Sequence, residues 1–198
     1  MISHRPLFSN NQQGFMSVRI FSLITIFLFS GINLISAQKK IKWISWHEAI
    51  AKSEKDQKKI FVSVYTEWCS WCKKMEKETF RNEFIVDYVN NNFYAIRFDA
   101  EYKEDIQIGD KTYKFIRKGK AGYHELAIEI TKGNLRLPSV VFLDEKFKVL
   151  QPLAGYIEAP QMEMIISYFA GNHFESTSWD RFTKSYSRDT FAIPVRNY

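Results

Sequence analysis

A short apolar segment that ends just before a pair of cysteines constrains this sequence more than any other feature. Residues 60–66 read IFVSVYT, a β-branched and aromatic run that is too short for a typical helix. Such a run predicts a buried central strand. From Cys69 the period changes, so that Cys72, Met75 and Phe80 share one face of a helix. The first cysteine is therefore expected at the N-terminus of a helix that directly follows a buried strand.

The segments that follow this junction predict an α/β fold. The helical pattern continues through residues 84–89, and residues 93–99 (FYAIRFD) alternate as a second strand. Together they predict a βαβ unit with parallel strands. Residues 139–144 and 147–153 then predict an antiparallel hairpin, and Pro160 is expected to open a helix. The combination predicts a central mixed β-sheet flanked by helices.

Three further segments have weaker patterns. Ser45 followed by Glu48 forms a capping box, which predicts a helix that starts after Ser45. Residues 111–116 are expected to form a strand and residues 123–131 a helix. Residues 179–186 predict a short helix near the C-terminus.

The N-terminal 37 residues have the pattern of a secretory signal peptide. Arg19 precedes an apolar run from Ile20 to Ile35, and the small residue Ala37 follows. The run contains Ser, Thr, Gly and Asn and is shorter than the ~20 apolar residues that span a bilayer. We expect cleavage after Ala37 and no stable membrane anchor. The sequence leaves open whether translation starts at Met1 or Met16.

Residues 38–198 are enough for a single domain that buries a core without help from disulfides or metals. Removing residues 1–37 takes away two arginines and no acid, so 28 basic and 22 acidic residues become 26 and 22, a net charge of +4. The densest basic stretch, residues 111–120, is interpreted as a solvated hairpin face. A nucleic-acid surface normally has a stronger patch, so no nucleic-acid partner is expected.

The cysteines at positions 69 and 72 are the only two in the chain, and they admit three interpretations. A staple that closes so short a loop would add only about 1.9 kcal/mol, against about 3 kcal/mol for a fifteen-residue loop. A zinc site needs about four protein ligands, or about three and a water. Besides the two thiolates the chain offers scattered His47, His124 and His173. These counts disfavour a staple and a metal site without excluding either.

A redox dithiol fits the local sequence better. The unpaired N–H groups and the dipole of a helix N-terminus stabilise a thiolate, and Lys73 and Lys74 add positive charge nearby. The Cys69 thiolate would attack a substrate disulfide. Cys72, one helical turn further on, would be the buried partner that resolves the mixed disulfide.

The segment EWCSWCKK is similar to the active-site motif of thioredoxins, in which a Trp precedes the first cysteine and a Lys follows the second. Residues 62–80 resemble even more closely the C-terminal thioredoxin-like domain of the periplasmic protein that carries reducing power across the inner membrane. The resemblance covers about residues 42–170. It implies a thioredoxin fold with an insertion at residues 101–133, after the second core strand, and a C-terminal extension at residues 172–198.

The resemblance also implies roles for single residues. Cys69 is the nucleophile and Cys72 the resolving thiol, with Lys73 and Glu67 in supporting positions. Thioredoxins have a buried Asp six residues before the first cysteine, where this sequence has Ser63. They also have Gly-Pro between the cysteines, where this sequence has Ser-Trp. These two departures leave the direction of electron flow open.

Substrate-binding residues are implied in the same way. In the family, the proline that corresponds to Pro138 is cis and faces the cysteine pair. The Leu137 backbone would offer a strand-like docking edge for the substrate chain. Trp68 and Trp71 would flank the site, and plain core packing is the alternative for each. Trp68 follows a strand and could be partly buried, whereas Trp71 lies between the cysteines and is expected to be exposed.

The expected function is that of an exported, monomeric thiol–disulfide oxidoreductase that reduces or exchanges protein disulfides in the periplasm, or after secretion. Its partners would be protein thiols and disulfides and an upstream electron donor or acceptor. It would use no metal and no cofactor besides the redox-active disulfide Cys69–Cys72. The alternatives are a disulfide oxidase or isomerase in protein folding, and a non-catalytic binding module that recognises a partner through residues 101–133 and the C-terminal tail.

Overall fold

The computed structural model describes residues 39–119 and 121–188. The predicted signal peptide and its cleavage site lie outside the described residues. Within the two described ranges, no helix has the length and apolar character needed to cross a membrane.

A five-stranded mixed sheet forms the centre of the fold. In chain order its strands are β1 (Trp43–Ile44), β2 (Lys59–Tyr65), β3 (Phe93–Asp99), β8 (Ser139–Leu143) and β9 (Val149–Ala154). Their order in space is β1-β3-β2-β8-β9. Strand β3 is parallel to both β1 and β2, whereas β8 is antiparallel to β2 and β9. The predicted βαβ unit and the predicted antiparallel hairpin are therefore both confirmed.

Six α-helices are present in the described part of the chain. They are α1 (Trp46–Ser53), α2 (Ser70–Glu78), α3 (Glu83–Asn92), α4 (Glu125–Ile130), α5 (Ala159–Ala170) and α6 (Trp179–Ser185). The Ser45 side chain caps α1 by accepting the Glu48 N–H at 3.1 Å, which confirms the predicted start of that helix. Helix α5 begins one residue before Pro160, and Gly171 is its C-cap. The short helix expected at residues 179–186 is confirmed as α6.

Strand β2 separates two hydrophobic cores. Phe61 contributes to a first core that contains residues of α2, α3 and α5, including Met75 and Met162. Its neighbours Ile60 and Val62 contribute to a second core with residues of α1 and α4. Successive residues of a strand point to opposite faces of the sheet. Because both faces are covered by helices, this strand reads as a continuous apolar run.

The segment between β3 and β8, where the resemblance predicts an insertion, forms two hairpins and α4. The first hairpin pairs β4 (Ile106–Ile108) with β5 (Lys111–Tyr113), and the second pairs β6 (Phe115–Lys118) with β7 (Ala121–His124).

Two predictions within the insertion were wrong in detail. The single strand expected at residues 111–116 is interrupted at Lys114, which lies between the two hairpins. The Lys114 N–H donates to the Glu125 carboxylate at 2.8 Å, and the Lys114 carbonyl accepts the Glu125 N–H at 2.8 Å. This residue therefore bonds to the start of α4 instead of continuing a ladder. The helix expected at residues 123–131 begins only at Glu125, because Tyr123 and His124 belong to β7.

Candidate active site

The two cysteines form a disulfide at the junction of β2 and α2. The S–S distance is 2.10 Å and the Cα–Cα distance is 5.3 Å. Cys69 is the N-cap of α2, and its Sγ accepts a hydrogen bond from the Cys72 N–H at 3.1 Å. The Cys69 N–H in turn donates to the Thr66 carbonyl at 3.1 Å. The strand-to-helix junction thus places the first sulfur directly over the N-terminus of the helix.

The two cysteine residues are buried to a similar extent but differ in their access to a groove. Cys69 is 6% exposed and Cys72 is 7% exposed. An open groove of about 420 Å³ lies against the disulfide, and the described residues that line it include Cys69 but not Cys72. A molecule in this groove meets the first cysteine.

Both tryptophans of the motif lie at this groove. Trp68 is 62% exposed and Trp71 is 55% exposed. The alternative that Trp68 packs in the core is therefore wrong.

The loop before β8 supplies a second part of the groove lining. The Leu137–Pro138 peptide bond is cis, as the resemblance led us to expect. The Leu137 side of this bond lines the groove, while Pro138 is buried and its carbonyl accepts the Gly155 N–H at 2.8 Å. The structure therefore brings Leu137 to the groove that holds the disulfide, whereas the buried Pro138 is not among the described residues that line it.

Of the two lysines that follow the motif, Lys74 makes the contacts near the site. Its Nζ lies 5.0 Å from the ring centroids of both Trp71 and Tyr156 and 3.8 Å from the Glu78 carboxylate. The Tyr156 hydroxyl donates to Glu78 at 2.8 Å, and this bond is the main reason why the pKa of Tyr156 is raised. Lys73, the lysine expected to support the site, is exposed.

Glu67 is exposed, and its carboxylate lies near enough to Tyr65 to influence the pKa of that side chain. Burial is the main cause that raises the pKa of Tyr65, and Asp99 and Glu67 raise it further. The Arg97 guanidinium, 4.0 Å from the Tyr65 ring centroid, acts in the opposite direction. The Glu67 carboxylate is therefore one of the charges that raise the pKa of this tyrosine.

The position where thioredoxins have an acid is occupied by Ser63, which is buried in β2 opposite Arg97 and Val140. The buried carboxylate among the described residues is that of Glu163 in α5, which pairs with Arg188. No group of three His, Cys, Asp or Glu side chains in the described ranges is placed to hold a metal ion.

Four groove-lining residues were missed by sequence reasoning. They are Ser70, Tyr123, Leu135 and Arg136. Leu135 and Arg136 directly precede Leu137, so their place in the same loop was a usable signal. Tyr123 lies in the insertion, and no local pattern connects it with the cysteines.

The fold and the disulfide define a protein of the thioredoxin-fold class. A model of the Thioredox_DsbH family, described as a protein of unknown function (DUF255), matches residues 30–148, so the chain belongs to this family. Spermatogenesis-associated protein 20 of Rattus norvegicus is 38% identical over 88 residues, which are 43% of this chain and 11% of that protein. The chain thus corresponds to a small part of the length of such relatives.

Two solved structures have the same fold. One is a thioredoxin-fold protein from Helicobacter pylori, with a TM-score of 0.50 and 19% identity, covering 69% of this chain and 83% of that one. The other is a proposed disulphide-isomerase from Bacteroides thetaiotaomicron, with a TM-score of 0.50 and 23% identity, covering 72% of this chain and 100% of that one. These likenesses confirm the predicted thioredoxin fold.

Proposed function

We propose that this protein is a thiol–disulfide oxidoreductase that reduces or exchanges disulfides of other proteins. The observation that carries the proposal is the cysteine pair itself. The two residues are joined in a disulfide at a helix N-terminus, and Cys69 lines an open groove whereas Cys72 does not.

The proposed cycle starts from the reduced dithiol. The Cys69 thiolate attacks one sulfur of a substrate disulfide, forms a mixed disulfide with it, and releases the other substrate sulfur as a thiolate that takes up a proton. The Cys72 thiolate then attacks the Cys69 sulfur and releases the second substrate thiol. The substrate gains two electrons and the protein loses two as the Cys69–Cys72 disulfide forms. An upstream dithiol donor would return the protein to its reduced form.

The geometry around Cys69 supports its role as the nucleophile. The Cys72 N–H points at its sulfur at 3.1 Å, and the positive end of the α2 dipole favours a negative charge at the same place. The first turn of α2 consists of Ser70, Trp71 and Cys72, none of which is acidic. A thiolate at Cys69 would therefore be stabilised by the helix without a competing carboxylate in that turn.

We also propose that the protein acts as a monomer after export, in the periplasm or outside the cell. The N-terminal sequence pattern supports export, and a disulfide persists best in an oxidising compartment.

The proposal is tested by insulin reduction with dithiothreitol as the electron donor. We expect the wild type to accelerate insulin precipitation and Cys69→Ser to reduce the rate to background. Cys72→Ser retains the nucleophile but lacks the resolving thiol. When the reduced variant is mixed with insulin after removal of dithiothreitol, it should therefore accumulate a mixed disulfide with the substrate, seen as added mass, whereas Cys69→Ser should accumulate much less.

The proposed enzymatic function would be refuted if the wild type reduces insulin no faster than background and its cysteines do not exchange with other disulfides. A non-catalytic binding module would then be the better interpretation. Wild type that oxidises reduced substrates but does not reduce disulfides would instead favour the folding oxidase.

A further inference from the structure

The second hairpin of the insertion forms part of the groove at the disulfide. Of the described residues that line the groove, Tyr123 is the one supplied by the insertion. It lies in β7, far in sequence from the motif at residues 66–74 and before the loop at residues 135–138. The groove is therefore built from three separate segments.

The base of this hairpin is fixed to the body of the fold. His124 is fully buried, and its backbone N–H donates to the Ala100 carbonyl at 2.7 Å. Its Nε2 lies 3.0 Å from the Glu104 carbonyl. Gly122, the residue before Tyr123, allows the Phe115 ring to pack closely against the backbone, because a Cβ on Gly122 would lie 2.5 Å from that ring. These contacts hold Tyr123 at a defined place beside the groove.

An apolar strip extends from Tyr123 across to the neighbouring strand of the hairpin. Ile116 is the cross-strand partner of Tyr123, so both side chains lie on the same face of the hairpin. Ile116 is 47% exposed and Tyr123 is half-buried. The large apolar residues that are exposed in the described ranges are Trp68, Trp71, Ile116 and Ile128. Two of them lie at the groove, and Ile116 lies beside Tyr123. We call Ile116 and Tyr123 the hairpin strip.

One of the described residues that line the groove has a cationic side chain. Arg136 lines it and is exposed. Within the described ranges, its guanidinium forms no ion pair. A guanidinium beside aromatic and aliphatic side chains is suited to a carboxylate that approaches from a ligand.

We propose that the groove and the hairpin strip bind an extended polypeptide segment of the disulfide substrate. The segment would place an aromatic or aliphatic side chain on Tyr123 and Ile116 and an acidic side chain on Arg136, next to the cysteine that is exchanged. The inference rests on the proposed function, because the segment belongs to its substrate.

Binding can be measured separately from redox chemistry with a fluorescein-labelled peptide. The probe is a ten-residue peptide with phenylalanine and two aspartates around a serine that replaces the cysteine, and its affinity is measured by anisotropy. We expect Tyr123→Ala to weaken binding about tenfold, as loss of an aromatic anchor does. Ile116→Ser should weaken it about threefold. Ile128→Ser removes an exposed isoleucine outside the groove and is the matched control, with no expected change.

Charge preference gives an independent readout. With Arg136→Glu, the preference for the aspartate peptide over a lysine-substituted peptide should reverse. Arg117→Glu makes the same charge change on the opposite face of the hairpin, where its cross-strand partner is Gly122, and should keep the wild-type preference.

The outcomes separate the inference from the proposed function. Peptide binding that is the same in wild type, Tyr123→Ala and Ile116→Ser would overturn the inference. So would a wild-type dimer that dissociates on Ile116→Ser, because the occupant would then be a second copy of the chain. Exchange with glutathione disulfide is measured in parallel. If the wild type fails to exchange but binds the peptide through the hairpin strip, the proposed function is refuted and the docking surface stands.

Discussion

At the scale of single residues, two buried threonines lie at the two ends of the cysteine-bearing segment. Thr66 directly follows β2 and precedes the two cysteines, and Thr79 is the C-cap of α2. The Thr79 hydroxyl donates to the Ile157 carbonyl at 2.7 Å and joins α2 to the loop before α5. The Thr66 hydroxyl is buried without a hydrogen-bond partner among the described residues. The two positions therefore have the same side chain and opposite hydrogen-bonding states.

Replacing each threonine by valine should have different effects on stability. Thr79→Val removes the donor and leaves a buried carbonyl unsatisfied, which costs about 1–3 kcal/mol. Thr66→Val replaces an unpaired buried hydroxyl by a methyl group of similar size and should be neutral or slightly stabilising. Urea unfolding of the oxidised proteins gives both free energies. Equal losses for the two variants would contradict the hydrogen-bond assignment.

At the scale of elements, α4 depends on a histidine cap. The His124 Nδ1 accepts the Leu126 N–H at 3.2 Å, so this nitrogen has no proton and the ring is neutral. Nε2 then has the proton and donates to the Glu104 carbonyl. Burial lowers the pKa of His124, and the nearby Glu125 and Asp105 carboxylates oppose this only in part. If Nδ1 were protonated, its N–H would face the Leu126 N–H, and two hydrogen-bond donors would oppose each other at the start of α4.

The sign of the resulting pH dependence follows from the lowered pKa. The unfolded chain takes up a proton on this histidine at about pH 6.5, whereas the folded protein resists protonation. The contribution of His124 to the free energy of unfolding is therefore fully present above about pH 6.5. It decreases as the pH drops from there toward the lower pKa of the folded state. His124→Asn keeps a capping oxygen but does not titrate. Between pH 7.5 and 5, the temperature of thermal unfolding should fall less for the variant than for the wild type. An identical fall in the two proteins would contradict the account.

At the scale of the whole molecule, the C-terminal extension is part of the main core. Phe182 in α6 is 1% exposed and belongs to the same cluster as Phe61 and Phe142 of the central sheet. Its ring centroid lies 5.0 Å from that of Tyr168 in α5. The Glu163 carboxylate of α5 also accepts a hydrogen bond from the Arg188 Nε at 2.8 Å. The described part of the extension is thus structural, while the insertion reaches the groove.

Phe182→Ala should therefore destabilise the entire fold. The loss of a fully buried phenylalanine costs about 3–5 kcal/mol. Phe174→Ala, a half-buried position in the same extension, should cost clearly less and serves as the control. Denaturant unfolding should remain a single transition in both variants. A loss for Phe182→Ala no larger than that for Phe174→Ala would show that the extension is only loosely attached.

The sequence was sufficient for the parts of the fold that depend on local pattern. Strands β2 and β3, the start of α1 after Ser45 and the position of Cys69 at the start of α2 follow from periodicity and capping. The break at Lys114 was missed because it depends on Glu125, which is distant in sequence. Tyr123 was missed at the groove for the same reason, since a long-range contact places it there. Trp68 was left undecided because its exposure depends on the direction in which the chain leaves β2.

The central claim is that Cys69 and Cys72 form a reversible redox couple. The most direct measurement equilibrates the protein in glutathione or dithiothreitol redox buffers and follows the fluorescence of Trp68 and Trp71. We predict one reversible two-electron transition, absent in Cys69→Ser, with a potential nearer the −270 mV of a reductase than the −120 mV of an oxidase, both values being approximate. A disulfide that stays intact in every buffer, with the protein folded, would contradict the claim and leave Cys69–Cys72 as a structural staple.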